Sequence, residues 1–249
     1  MVPFKTRINQ ISKTKGKIIL ANDYSDSVKN LESKTINNIK TLNKFLCAIK
    51  FNFHLLLPLG FKEIKKINKI AHKYNLQTIA DIKLNDIGNT NEITLENLWK
   101  SGFDAVIVNP IMGPKALKKL VSLTHNKNKG IIALCHMSAP EAKISYDMKV
   151  KLKNSKTPTP LYQLFLKYSI ANKVDGIIVG ATYPEIIKFC NKKSKGNLNI
   201  YSPGIGTQGG KIKDVINAGS NFLIVGRTIL KAKNPPRIAE ELQKLSLSN

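Results

Sequence analysis

Eight short apolar runs alternate with amphipathic segments along almost the whole chain. The apolar runs are nearly continuous, as expected for parallel strands buried on both faces, whereas the segments between them carry apolar residues at helical spacing. Eight such repeats in 249 residues fit a closed (β/α)8 barrel, which typically needs about 250 residues. We therefore predict an α/β fold, a (β/α)8 TIM barrel, with one domain over residues 1–249.

The predicted elements follow one another in regular order. The predicted strands lie near residues 17–21, 46–51, 78–82, 105–108, 130–135, 176–179, 198–202 and 222–225. The predicted helices cover residues 28–42, 61–74, 92–100, 115–123, 162–172, 184–191, 211–218 and 238–245. No Pro/Gly/Ser-rich linker divides the series, which favours one barrel over two small domains.

The chain is strongly basic, with 40 Lys and Arg against 16 Asp and Glu and a formal charge of +24. Such a charge attracts polyanions, and phosphate contacts alone can drive non-specific nucleic-acid binding. However, the lysines of segments such as 61–70 and 115–120 alternate with apolar residues at helical spacing, so they form the polar faces of helices. Interleaved aromatic residues and zinc-finger or helix-turn-helix patterns are missing. We predict no specific nucleic-acid partner.

Cysteine and histidine spacing gives no sign of a metal site. Cys47, Cys135 and Cys190 are scattered in apolar surroundings without a C-x-x-C pair, so we expect small buried side chains and no disulfide framework. The four histidines also lack ligand spacing. No apolar run approaches the roughly 20 residues that span a membrane, and the N-terminus lacks a signal-peptide core. We expect no metal, no membrane association and a cytoplasmic location.

Residues 79–90, Ile-Ala-Asp-Ile-Lys-Leu-Asn-Asp-Ile-Gly-Asn-Thr, place charges at the end of an otherwise buried strand. Asp81 and Lys83 share one strand face because side chains alternate with a period of two, so we expect them to be neighbours. Barrels place their chemistry at this end of the strands. Carboxylates beside Lys83 favour its ammonium form, which suits a proton donor or an electrostatic clamp. The alternative is a salt-bridged strand end without catalysis.

Polar residues also follow other predicted strands and are expected on the same face of the barrel. They are Asn22 and Asp23 after the first strand, Lys50 at the end of the second, His136, Met137 and Ser138 after the fifth, residues 203–210 after the seventh, and Gly226 and Arg227 after the eighth.

The segment from Gly204 to Gly209 matches the dinucleotide-binding pattern G-x-G-x-x-G. The context argues against that interpretation, because about forty residues remain and the acidic residue expected about 20 positions later is missing. A phosphate cradle fits better, since glycines expose backbone N–H groups and the loops after strands 7 and 8 commonly hold phosphate. Arg227 would add a bidentate clamp. The alternative is a loop whose glycines serve tight turns alone. The residues by themselves thus predict a barrel enzyme acting on a small phosphorylated molecule.

The charged strand end also carries a family resemblance. Residues 81–90 resemble the D-x-K-x-x-D-I-x-x-T motif of orotidine 5′-phosphate decarboxylases. Other segments resemble their family counterparts in order and spacing, namely Asp23, Lys50, Met137–Ser138, residues 203–210 and residues 225–227. The nearest alternative is the group of Mg²⁺-dependent sugar-phosphate decarboxylases, such as 3-keto-L-gulonate 6-phosphate decarboxylase, which share D-x-K-x-x-D. Ile87, Thr90 and Gln208 favour the orotidine group.

The resemblance implies conversion of orotidine 5′-phosphate to UMP and CO2 in pyrimidine biosynthesis, without a metal or organic cofactor. Lys83 would stabilise and protonate the carbanion at C6 of the pyrimidine, and Asp81 would face the substrate carboxylate. Lys50 and Asp86 would complete an alternating array of charges that holds Lys83 in place.

The same resemblance implies the substrate-binding residues and a partner. In the family, the counterparts of Asp86, Ile87 and Thr90 come from the neighbouring subunit, which implies a homodimer with shared sites. The lysine-rich segment 140–160 departs from the family pattern. The implied substrate-binding residues are Asp23, Lys50, Ile87, Thr90, Ser138, Pro203, Gly204, Gln208, Gly226 and Arg227.

Overall fold

The computed structural model describes residues 2–24, 29–153 and 157–247 of the chain. Within these residues the strands, in chain order, are β1 (Ile18–Ala21), β2 (Ala48–Asn52), β3 (Gln77–Leu84), β4 (Ala105–Val108), β5 (Gly130–His136), β6 (Lys149–Val150), β7 (Thr159–Pro160), β8 (Gly176–Val179), β9 (Asn199–Pro203) and β10 (Phe222–Val225).

Helices follow or precede each barrel strand. They are α1 (Phe4–Lys15), α2 (Leu31–Leu42), α3 (Phe53–Leu56), α4 (Phe61–Lys73), α5 (Gly88–Lys100), α6 (Pro114–His125), α7 (Ala142–Ser145), α8 (Leu161–Ala171), α9 (Pro184–Ser194), α10 (Ile212–Asn217), α11 (Arg227–Leu230) and α12 (Pro235–Leu247). Two short 3-10 turns cover Asn43–Phe45 and Pro110–Met112. Among the described residues, no helix is both long and apolar enough to cross a membrane.

Eight parallel strands close into a barrel in the order β1-β10-β9-β8-β5-β4-β3-β2. Barrel strands β1, β4, β8 and β10 are buried at every position, as their continuous apolar sequences require. Because the strands are parallel, their carboxyl ends meet at one rim, and the residues that follow them lie around a common mouth. The predicted (β/α)8 barrel is confirmed.

Helix α1 was not predicted from the sequence. Nine of its twelve residues are polar, and its apolar stripe consists of Phe4, Ile8 and Ile11, all of which are buried. The stripe packs at the N-terminal end of the barrel, where the Phe4 ring fills the space beside Gly130. A Cβ on residue 130 would lie 2.1 Å from that ring, so this strand start needs glycine.

Most of the predicted elements differ from their observed limits by one to four residues. Strand β3 runs to Leu84, two residues further than predicted, and helix α5 begins four residues earlier than predicted, at Gly88. The helix predicted over 28–42 covers Leu31–Leu42, and residue 28 lies outside the described residues. The lysine-rich segment 140–160, apart from residues 154–156, which lie outside the described part, contains helix α7 and an antiparallel pair of two-residue strands, β6 and β7.

At the N-terminal end of the barrel, acid and amide side chains link neighbouring strands in a repeated pattern. In each case, the residue before a strand accepts a hydrogen bond from a backbone N–H of the adjacent strand, which fixes the register between the two. The three pairs are Asp104 with the Thr78 amide at 2.9 Å, Asp175 with the Ile131 amide at 2.8 Å, and Asn221 with the Ile200 amide at 2.8 Å.

Asp104 has the largest set of partners in this pattern. His72 Nε2 lies 2.7 Å from its Oδ2, Arg7 donates to its Oδ1 at 3.0 Å, and Lys129 lies 3.4 Å from the same oxygen. Burial by itself would raise the pKa of Asp104, but the hydrogen bond and charge of His72, with Lys129 and the Thr78 amide, hold that pKa below its usual value. The carboxylate therefore stabilises the folded state when it is ionised.

We expect Asp104→Asn to lower the free energy of unfolding by about 1–3 kcal/mol at pH 7, because the cationic partners lose a buried carboxylate. A carboxyl group whose pKa is lower in the folded state stabilises the fold above its unfolded pKa of about 4, and that contribution disappears as the pH falls through the folded pKa. Urea unfolding at pH 7 and at acidic pH should show the difference between wild type and variant shrinking with acid. Asp214→Asn, at an exposed position, is the control. A difference that stays constant with pH would contradict this account.

Candidate active site

A cavity of about 750 Å³ opens at the carboxyl ends of the barrel strands. Of the thirteen residues to which the sequence assigned a site role, ten line this cavity. They are Asp23, Lys50, Asp81, Lys83, Ser138, Pro203, Gly204, Gln208, Gly226 and Arg227. Strand ends that are far apart in sequence thus contribute to one site, as the parallel barrel requires.

Four charged side chains, Asp23, Lys50, Asp81 and Lys83, form a continuous charge chain across β1, β2 and β3. Lys50 Nζ lies 2.7 Å from Asp81 Oδ2 and 3.6 Å from Asp23 Oδ1. Lys83 Nζ lies 2.7 Å from the other Asp81 oxygen, Oδ1. Asp81 therefore bridges two ammonium groups with its two oxygens, and the predicted contact between Asp81 and Lys83 is present.

Burial sets the strength of these interactions. The Lys50 residue is 4% exposed, and burial alone would lower its pKa, but the charges and hydrogen bonds of Asp81 and Asp23 raise that pKa above its ordinary value. Burial alone would also raise the pKa of Asp81, whereas Lys50 and then Lys83 lower it. Both groups consequently remain charged at neutral pH, and each favours the charged form of the other.

Lys83 has a backbone conformation that ordinary strands do not contain. Its φ is +47°, in the left-handed region, and the pairing of β3 with β4 shifts register between Ala80 and Leu84. A non-glycine residue in a sparsely populated region of this kind costs about 1–3 kcal/mol, and such residues cluster at functional sites. A salt bridge that merely ends a strand needs no such distortion, so the local backbone favours a functional role for this lysine.

The glycine-rich loop, residues 203–210, follows β9 and folds back on itself. Gly204 and Gly206 have φ values of +99° and +75°, and the Gly210 amide donates to the Gly204 carbonyl at 3.1 Å. A Cβ on residue 206 would lie 2.5 Å from Thr228 Oγ1. The glycines are thus needed for tight turns and for close packing on α11, and Gln208 of this loop lines the cavity, as Arg227 does.

Asp86, Ile87 and Thr90 do not line the cavity of their own chain. They precede or begin α5 and are exposed, with Ile87 75% accessible. Asp86 Oδ1 accepts a hydrogen bond from the Ile87 amide at 2.7 Å.

The structure also contains site residues that the sequence did not identify. Asn38 on α2 donates to the buried Asn22 Oδ1 at 2.8 Å and lies 2.6 Å from the Tyr24 hydroxyl. This network fixes the residues on both sides of Asp23. The cavity lining further includes His54 and Lys231. An available signal was the four-residue spacing between Arg227 and Lys231, whereas nothing in the sequence pairs Asn38 with Asn22.

The segment that carries Ser138 is held by side chains outside the cavity. His136 is fully buried, with the rings of Tyr146, Tyr162 and Tyr183 around it, and its Nδ1 donates to the Met137 carbonyl at 2.8 Å. The Tyr183 hydroxyl donates to the Ala139 carbonyl, and Thr182 Oγ1 donates to the Ser138 carbonyl, each at 3.0 Å. These contacts fix the backbone from which Ser138 reaches the cavity.

Among residues 2–24, 29–153 and 157–247, no group of three or more His, Cys, Asp or Glu side chains is arranged to hold a metal ion. The three cysteines are free and buried.

A charge chain and a glycine-rich loop at the mouth of the barrel define the class of protein, a (β/α)8-barrel enzyme. The chain belongs to the orotidine 5′-phosphate decarboxylase / HUMPS family, whose model matches residues 16–242. The resemblance seen in the sequence motifs is thereby confirmed.

Relatives agree with this assignment over nearly their whole length. The chain is 33% identical over 227 residues to the orotidine 5′-phosphate decarboxylase of Pyrococcus abyssi, covering 90% of this chain and 96% of that protein. It is 33% identical to the Methanosarcina mazei orotidine 5′-phosphate decarboxylase, with 91% and 94% covered. The crystal structure of the Methanocaldococcus jannaschii orotidine 5′-monophosphate decarboxylase with the inhibitor BMP matches with a TM-score of 0.77 at 29% identity, covering 92% and 98% of the two chains.

We expect Asp81→Ala and Lys83→Ala to differ sharply in stability. Without Asp81, Lys50 keeps a buried charge whose remaining partner, Asp23, is 3.6 Å away, and breaking such a buried pair costs about 3–5 kcal/mol. Lys83→Ala should cost about 1 kcal/mol or less, because its side chain is 35% exposed and surface pairs contribute little.

Urea unfolding of both variants in the absence of ligand measures the difference. The loss in Asp81→Ala should shrink as the pH approaches about 10, where Lys50 can release its proton. Equal losses in the two variants would show that Asp81 does not hold a buried charge in place.

Proposed function

We propose that this chain is an orotidine 5′-phosphate decarboxylase that converts orotidine 5′-phosphate to UMP and CO2 in pyrimidine biosynthesis. The observation that carries the proposal is the charge chain at the barrel mouth, in which Asp81 bridges Lys50 and Lys83 at 2.7 Å each. Family membership and relatives with this activity in their names support the same conclusion.

Lys83 is the proton donor in the proposed reaction. When the bond between C6 and the carboxylate breaks, CO2 leaves and the electron pair stays on C6. An ammonium held in advance beside that carbon stabilises the developing charge and then delivers its proton to C6. Lys83 is then neutral and regains a proton from solvent, which its 35% exposed side chain can reach.

In the proposed reaction, the Asp81 carboxylate faces and repels the substrate carboxylate until CO2 departs. For this it must stay ionised when substrate places a second negative charge nearby. Lys50 and Lys83 lower its pKa and so favour the ionised form. The repulsion between the Asp81 carboxylate and the substrate carboxylate ends as CO2 leaves. This repulsion assists the reaction if contacts to the rest of the substrate supply the binding energy that offsets it in the bound state.

The remaining lining residues are assigned to the rest of the nucleotide. Asp23 and Lys50 contact ribose hydroxyls in this proposal, and Ser138 hydrogen-bonds the pyrimidine edge. The phosphate group is assigned to the glycine-rich loop and α11, through Pro203, Gly204, Gln208, Gly226 and Arg227. Support comes from the position of all these residues in one cavity and from the loop's exposed backbone.

A homodimer with shared sites is part of the proposal, and Asp86, Ile87 and Thr90 enter the partner's site. Exposed apolar side chains follow the carboxyl ends of the neighbouring strands β2, β3 and β4, which is unusual for a surface in contact with water alone. They are Phe53, Leu57, Phe61, Ile87, Ile93 and Ile111. A two-fold axis near this patch would bury it and bring each Asp86 towards the other chain's cavity.

The proposal further includes one catalytic domain over residues 1–249, catalysis without metal or organic cofactor, and a cytoplasmic location. The three free cysteines are consistent with a reducing compartment.

The decisive experiment follows loss of orotidine 5′-phosphate and formation of UMP in the presence of excess chelator. Wild type should turn over, and Lys83→Ala should lose at least about 1,000-fold in kcat while remaining folded, since both proton delivery and charge stabilisation are removed. Lys118→Ala, at an exposed position of α6, should keep wild-type activity.

Near-normal turnover by Lys83→Ala would refute its role as proton donor. Failure of folded wild type to react at all would overturn the proposed function. It would favour the Mg²⁺-dependent decarboxylation of keto-sugar phosphates, since the sugar-phosphate decarboxylases share the D-x-K-x-x-D motif.

Shared sites can be tested by mixing two inactive variants, Lys83→Ala and Asp86→Asn. In a mixed dimer, one site carries both changes and the other carries neither, so random exchange should restore about a quarter of wild-type activity. Subunit exchange is verified with a mass tag, and Lys83→Ala mixed with itself is the control. No recovery after verified exchange would indicate sites built from one chain.

A further inference from the structure

The charged groups of the cavity lining do not balance. Besides His54 and Tyr24, the ionisable side chains there are four cations and two carboxylates, namely Lys50, Lys83, Arg227 and Lys231, and Asp23 and Asp81. Both carboxylates belong to the charge chain and already contact Lys50 or Lys83. Within the described residues, Arg227 and Lys231 form no ion pair with a carboxylate. Two positive charges of the cavity lining therefore have no carboxylate partner in residues 2–24, 29–153 and 157–247.

These two cations are placed together by the backbone. Arg227 begins α11, and the Lys231 amide donates to the Arg227 carbonyl at 3.0 Å. Residues four apart on a helical turn lie on the same face, so both side chains start from the same side of α11. Both line the cavity along with Gln208 of the glycine-rich loop. Lys231 is not among the residues to which the family resemblance assigns a role.

We propose that Lys231 is a second cationic ligand of the substrate phosphate, alongside Arg227. This inference rests on the proposed function and extends it. A phosphate monoester carries a charge of about −1.5 to −2 at pH 7, which two cations match and one does not. The planar guanidinium of Arg227 fixes the orientation of two phosphate oxygens, whereas the flexible ammonium of Lys231 supplies a point charge to the remaining one.

The competing explanation is general attraction by a chain whose formal charge is +24. Lys233 separates the two explanations, because it is exposed, lies two residues further along the chain and does not line the cavity. Lys231→Met and Lys233→Met remove the same charge from nearly the same place in the sequence. Long-range attraction predicts equal effects of the two variants, whereas direct contact predicts an effect of Lys231→Met alone.

The test measures dissociation constants of UMP, uridine and inorganic phosphate by calorimetry at physiological ionic strength, together with kcat and KM for orotidine 5′-phosphate. Lys231→Met should weaken UMP and phosphate binding by about tenfold, roughly the effect of losing one charge-assisted contact, and should leave uridine binding unchanged. Lys233→Met should stay within about twofold of wild type. Lys231→Arg should restore most of the affinity, and Arg227→Ala should lose more than Lys231→Met.

The outcomes separate this inference from the proposed function. Equal effects of Lys231→Met and Lys233→Met, or a parallel loss of uridine binding, would overturn the role of Lys231 even if wild type is a fully active decarboxylase. If wild type neither binds UMP nor reacts, the proposed function fails, and the inorganic phosphate measurements still decide whether Lys231 contributes to an anion site. Phosphate affinity that is the same in wild type and Lys231→Met would then overturn it.

Discussion

The Asp81 carboxylate is the interaction on which the site depends. It is nearly buried, and each of its oxygens lies 2.7 Å from a different ammonium group. Burial alone would raise the pKa of this carboxyl group, and the two lysines lower it; burial alone would lower the pKa of Lys50, and Asp81 with Asp23 raises it. The charges therefore stabilise one another in place, and the site keeps its electrostatic arrangement before any ligand arrives. Such preorganisation is what electrostatic catalysis requires.

The two ends of the barrel differ in how their charged residues relate to strand pairing. At the N-terminal end, Asp104 and Asp175 accept backbone hydrogen bonds and join neighbouring strands. At the carboxyl end, the register shift in β3 and the left-handed conformation of Lys83 disturb regular pairing. Local strain of this kind persists because the surrounding barrel determines the backbone on both sides. Regular strand pairing at the N-terminal end of the barrel thus allows an irregular backbone at the carboxyl end, where the cavity lies.

Sequence patterns were sufficient for the parts of the molecule that obey simple periodicity. Continuous apolar runs indicated buried parallel strands, and the period of two placed Asp81 beside Lys83. They could not indicate the positive φ of Lys83, because that conformation depends on tertiary packing around β3. Helix α1 is not evident in the sequence because nine of its twelve residues are polar, which leaves only Phe4, Ile8 and Ile11 to form an apolar stripe. The family resemblance ends at Arg227 and assigns no role to Lys231, which lines the cavity directly after α11.

The order of strands around the barrel gives a physical reason for the proposed orientation of the nucleotide. In the closed sheet, β9 stands four strands from β3 in either direction, so the glycine-rich loop and Lys83 lie on opposite sides of the mouth. Asp23, which follows β1, and Lys50, on β2, lie between them on one side, and β5, before Ser138, lies between them on the other. A nucleotide with its phosphate at the loop would extend its ribose past β1 and β2 and its ring toward β3 and β5. The contacts that bind the phosphate are then far from the reacting carbon. Their binding energy can hold the ring against Asp81 although none of them touches the bond that breaks.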